Sequence, residues 1–175
     1  MTTVGTRALL AAAVILGAAC KGEPAPPVPA PVPAPAPASA PAPEVKRALP
    51  VDLVEAPPSG DVQEIVAREL ARARADGRRL LVYVGATWCE PCQRFHEAAR
   101  AGQVDALFPG LRLLDFDLDR DRERLEKAGY ASKMIPLFAL PRLDGAASGE
   151  QIEGSIKGAG AVDQIAPRLR ALLDK

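Results

Sequence analysis

Thirteen of the 18 prolines in this 175-residue chain fall between Pro24 and Pro58, and that concentration decides where a fold can form. Proline offers no backbone donor and holds φ near −65°, so an Ala/Pro/Val stretch favours extended polyproline II and packs no core. At about 3.1 Å per residue, residues 21–58 have a reach on the order of 100 Å. The folded part is then confined to about 115 residues, 61–175, enough for one core and too few for two. With 22 basic and 22 acidic residues the net charge is zero, which excludes a strongly basic nucleic-acid binder and an acidic disordered tail. Three cysteines make neither a dense disulfide framework nor a four-thiolate zinc site.

The N-terminus carries one positive charge, Arg7, then an unbroken apolar run from Ala8 to Leu16, then Gly17-Ala18-Ala19-Cys20. This run is short of the ~20 residues that span a bilayer as a helix, and with its flanks it reads as an export signal over 1–19. Leu16-Gly17-Ala18-Ala19-Cys20 resembles the bacterial lipoprotein signal, in which the cysteine is lipidated and becomes the mature N-terminus. Here the leucine stands four residues before the cysteine, where the family usually has three. Ordinary cleavage after Ala19, leaving a free thiol, is the alternative. The resemblance implies a domain in the periplasm or cell envelope, held off a bacterial membrane by a lipid on Cys20 and a disordered tether over 20–60.

From Asp61 the pattern becomes globular. Asp61 and Glu64 imitate a capping box, and Val62, Ile65, Val66, Leu70 and Ala73 recur at helical spacing up to a stop at Gly77. Leu80 to Val84 is a short continuous apolar run, the mark of a strand buried on both faces. A helix follows from Cys89. A strand is expected over Leu111 to Asp119, a short charged helix over Asp121 to Ala128, and a third apolar strand over Leu137 to Leu140. A further strand over Gln151 to Lys157 precedes a last helix, which Pro167 should keep from starting before about Asp163. The order α-β-α-β-α-β-β-α predicts the α/β class, a mixed sheet with helices on both faces.

Trp88-Cys89-Glu90-Pro91-Cys92 is the strongest motif in the chain. It follows a buried strand and opens a helix, so Cys89 falls at the helix N-terminus, where unpaired amides and the macrodipole favour a thiolate. Cys92 lies one turn further in, within reach of a mixed disulfide on Cys89, and Pro91 stiffens that turn. Two thiols so placed, and open to solvent, exchange a disulfide with a partner by thiolate attack.

With Ile135-Pro136 44 residues after Cys92 and the same element order, the chain resembles the thioredoxin superfamily over roughly Asp61 to Lys175. The resemblance implies a thioredoxin-like fold and a thiol–disulfide oxidoreductase acting on protein disulfides, in the reducing direction. Cys89 is then the nucleophile and Cys92 the resolving thiol. Ile135-Pro136 would be a cis step against the disulfide, with Trp88 on the substrate surface. Two positions depart from the pattern. Tyr83 stands where many relatives carry a buried acid six residues before the nucleophile, and Asp115 or Asp117 falls where they often carry a lysine. The proton acceptor would then be an Asp of that strand, or water. Glu90, where many relatives have glycine, is expected to set a negative charge beside Cys89 and favour the disulfide.

No cofactor or metal is expected, and the partners expected are protein disulfides and a membrane thiol donor. Cys89 and His96 are two turns apart, about 10 Å along the axis, so they cannot share a metal ion with Cys92. His96 is expected to be a solvated surface residue. The run Asp115, Asp117, Asp119, Asp121 and Glu126 lacks the glycine turn of a calcium loop. The alternative reading is a non-catalytic binding module, or a metal- or haem-delivery chaperone.

Overall fold

The computed structural model describes residues 49–175; the expected signal over 1–19, Cys20 and the tether up to residue 48 lie outside the described residues. The order is β1 (Asp52–Glu55), α1 (Val62–Ala75), β2 (Arg79–Gly85), α2 (Glu90–Arg100), β3 (Leu111–Asp117), α3 (Leu118–Lys127), β4 (Leu137–Pro141), β5 (Ala147–Glu153) and α4 (Ala161–Leu173). The strands form one sheet in the order β1-β3-β2-β4-β5. The first three run parallel, β4 is antiparallel to β2, and β5 to β4.

Strand alternation sorts the core into two layers. Leu80, Val82 and Val84 of β2, with Leu114 and Phe116 of β3, pack beneath α1 and α3. Leu81 and Tyr83, with Leu111, Leu113 and Phe138, pack beneath α2 and α4. The mixed sheet flanked on both faces is the architecture the sequence predicts. In α1 the expected cap forms, Glu64 N donating to Asp61 Oδ1 at 2.9 Å.

Four boundaries differ, each for a local reason. Residues 52–55, expected in the tether, form a strand instead, with Ala56 N donating to Asp115 O beyond its end. The proline-rich composition hid a four-residue edge strand too short to show alternation. β3 ends at Asp117 and α3 begins at once, because the Asp117 carboxylate accepts from the amides of Asp119 and Arg120. β5 starts at Ala147 and ends at Glu153, its register fixed by pairing with β4. α4 begins at Ala161 and carries Pro167 in its interior; Pro167 is exposed, so the carbonyl it leaves unpaired can turn to water.

A buried carboxylate ties the new strand's loop to the domain. Asp121 is fully buried, 3.1 Å from the Asp117 amide, 2.9 Å from Arg120 Nε and 2.8 Å from Arg124 Nη2. The same two arginines donate to the carbonyls of Ala56, Pro57 and Gly60. Burial alone would raise the Asp121 carboxyl, but hydrogen bonds from Arg120 and Arg124 outweigh it and hold the group below its ordinary value. A depressed carboxyl stabilises above its unfolded pKa, and that contribution fades as pH falls through its folded value. Asp121→Asn is expected to cost about 2 kcal/mol at pH 7, less than a wholly buried pair because both arginines keep some solvent. Urea unfolding should show the deficit shrinking as pH falls below about 4, the ordinary carboxyl value.

Candidate active site

Strand β2 runs between β3 and β4 and delivers the chain to the N-terminus of α2 through Ala86, Thr87 and Trp88. Cys89 is the N-cap, with extended backbone, and its sulfur accepts from Cys92 N at 3.3 Å. Cys89 and Cys92 are joined, with an S–S distance of 2.06 Å and Cα atoms 5.2 Å apart. An amide directed at this sulfur from a helix start is the setting in which a thiolate is generally favoured over a thiol. Pro91 sits in the first turn, where a missing N–H costs nothing.

The pair is more covered than expected. Cys89 exposes 5% of its surface and Cys92 3%, whereas Trp88 beside them exposes 62%. The indole of Trp88 donates to Asp119 Oδ2 at 2.7 Å, which fixes the ring over the start of α3. Ile135-Pro136 is cis, and Ile135 packs on the same buried cluster as both cysteines. Met134, before it, is 58% exposed and lies against Gly154, where a Cβ would approach Met134 Cβ to 3.1 Å. Glu90 differs from the expectation of a bare charge beside Cys89. Its carboxylate accepts from Gly158 N at 3.1 Å and lies 3.9 Å from Arg94 Nε, so it is partnered and anchors the loop before α4.

Behind Cys92 an open groove of about 900 Å³ runs between α2 and the β1–β3 edge, lined among others by Gln93, His96 and Asp115. His96 is not a solvated surface residue. It is half-buried, packs against the Tyr83 ring at 5.0 Å, and brings Nε2 within 3.3 Å of Asp115 Oδ2 outside hydrogen-bonding geometry. Burial lowers the imidazole below its ordinary value, aided by Arg100. Burial likewise pushes the Asp115 carboxyl up to about 6; Glu55 and Asp117 add to this, while Arg100 and Arg120 oppose it. Tyr83 is wholly buried with its hydroxyl unpartnered, and burial followed by Asp115 raises it well above the usual phenol range. At neutral pH the site therefore holds a neutral imidazole, a neutral phenol and an ionised carboxylate.

Of the motif residues, Cys89, Cys92 and Ile135 share one buried cluster, while Trp88 lies exposed beside Cys89. Reading His96 as surface failed because its helix face looks polar in sequence: Gln93, Arg94, Glu97 and Arg100 surround it. No local signal marks its burial, since the cover comes from Tyr83 on β2.

A strand, a Cys-x-x-Cys helix start and a cis X–Pro step thus meet on one mixed α/β sheet. Residues 61–140 match the family model described as thioredoxin-like. Similar solved structures include a poplar thioredoxin h, 22% identical, covering 71% of this chain and 97% of that one with a TM-score of 0.43. Thioredoxin O1 from Arabidopsis thaliana in the oxidized state is 16% identical, covering 71% and 96%, TM-score 0.43. Fasciola hepatica thioredoxin is 18% identical, covering 69% and 98%, TM-score 0.41. No curated protein matches the chain.

A raised carboxyl penalises the fold. Between its unfolded value near 4 and its folded value about 6, Asp115 holds more proton when folded, so stability falls as pH rises through that window and stays lowered above it. Asp115→Asn should therefore stabilise the domain by about 1–2 kcal/mol at pH 7.5, discounted for partial exposure. Thermal melts at pH 4.5 should show little or no gain.

Proposed function

We propose that this chain is a membrane-tethered thiol–disulfide oxidoreductase that reduces protein disulfides through Cys89 and Cys92. The observation that carries the reading is the Cys89–Cys92 bond at the N-cap of α2, with the Cys92 amide on the Cys89 sulfur. In the forward step the Cys89 thiolate attacks a substrate disulfide, forms a mixed disulfide and releases one substrate thiolate, which takes a proton from solvent. Cys92 then loses its proton and attacks Cys89 Sγ. The protein disulfide forms, the second substrate thiol leaves, and two electrons have passed to the substrate.

Support for the reducing direction comes from charge. Asp115, ionised at neutral pH on the groove that reaches Cys92, disfavours a thiolate there and so favours the oxidised pair. In an oxidising compartment such a reductase needs a thiol donor, for which a membrane protein of the cell envelope fits the tether. Trp88 and Met134, exposed on either side of the site beside the Ile135-Pro136 step, are the surface that a substrate chain would meet.

Cys89→Ser is expected to abolish insulin reduction, and Cys92→Ser to accumulate substrate covalently held on Cys89. Activity retained in Cys89→Ser would overturn the proposal. Cys20→Ser should move the protein from the membrane fraction to the soluble one with insulin reduction intact; an unchanged partition would remove the lipid from the account.

The near-complete cover over both sulfurs favours a second reading, a stable structural disulfide in a binding module. The reduction potential of the pair separates the two. A structural bond falls below about −300 mV and resists exchange, whereas an exchanging pair lies above that value.

A further inference from the structure

Closing the disulfide requires Cys92 to lose a proton in a place that is almost fully covered. Strand parity puts Asp115 on the α2 side of the sheet, beside Tyr83 in register and across from His96. Cys92 and Asp115 open on the same groove, whose 900 Å³ holds many waters at roughly 30 Å³ each. Other carboxylates on the groove are engaged or solvated. Asp105 accepts from Val51 N, Asp117 caps α3, and the side chains of Glu55 and Glu97 are 83% and 67% exposed. Tyr83 is held neutral, and Arg100 and Arg120 offer no acceptor.

Resting on the exchange chemistry proposed above, we propose that Asp115, set against His96, takes the proton that Cys92 gives up through the groove. The proton passes from Cys92 Sγ to the Asp115 carboxylate by way of groove water, and the Cys92 thiolate then attacks Cys89 Sγ. Asp115 returns the proton to solvent after the substrate thiol has left. Neutral His96, packed on the Tyr83 ring, lies against the carboxyl at 3.3 Å and covers it on that side. The acceptor thus sits on β3, one strand away from Tyr83. Burial sets its titration first, with Glu55 from β1, Arg100 from α2, Asp117 from β3 and Arg120 from α3; Tyr83 from β2 and His96 from α2 also face it.

The test uses the full chain with Cys20→Ser, reduced and mixed rapidly with a chromogenic aryl disulfide. The first aryl thiolate leaves as Cys89 attacks, the second as Cys92 closes the bond, so the two phases report the two steps separately. In the parent the second phase should rise through a step near pH 6 and rise again where Cys92 ionises unaided. Asp115→Asn should lose the lower step, run about tenfold slower at pH 7 and converge with the parent above pH 9, its first phase within about twofold of the parent. Asp115→Glu should keep a step. An Asp115→Asn profile that overlies the parent, or lies below it equally at every pH, overturns the assignment while leaving the exchange chemistry standing. Absence of a first phase in the parent, with the reagent shown to react with a free thiol, sinks both.

Discussion

The hydrogen-bonded position of β2 between β3 and β4 is the constraint on which the site depends. Both faces of the strand are buried, Leu80, Val82 and Val84 on one and Leu81 and Tyr83 on the other, so the strand cannot slip by one residue without exchanging its two cores. What leaves its C-terminal end is therefore fixed in direction. The turn through Trp88 and the first turn of α2 inherit that fixed start, and with it the position of two sulfurs against a helix amide. Packing on both faces of the sheet thus holds the two sulfurs in place.

Much of this was legible in sequence because it rests on local signals. The run Leu80 to Val84 announces a doubly buried strand, the cysteine spacing announces a helix start, and Asp61 announces a cap. The parts that were not legible rest on distant partners. β1 exists because Asp52 to Glu55 pair with residues 112–115, some sixty positions on, and because Arg120 and Arg124 reach back to its following loop. His96 looks solvated among charged neighbours, and its cover comes from Tyr83 on another element. The cover over the sulfurs was likewise unreadable, since it comes from tertiary packing rather than from the motif.

Charge placement shows the same division. Asp115 stands in sequence at an unusual position, yet its environment comes from the fold. Alternation along β3 turns Leu114 and Phe116 toward one layer and Leu113 and Asp115 toward the other. A carboxyl on that inner side is desolvated by its neighbours and faces an imidazole it does not hydrogen-bond. Glu90 went the opposite way: a residue expected to act as a bare charge is tied to Gly158 and Arg94 instead.

Trp88 is the sole tryptophan of the chain, and the indole hydrogen bond to Asp119 pins it one residue from Cys89. Its emission thus arises from a single spot bordering the sulfurs, where a disulfide is an efficient quencher and a thiol a weaker one. Opening or closing the neighbouring sulfur bond would be followed through that one fluorophore, without dye or label.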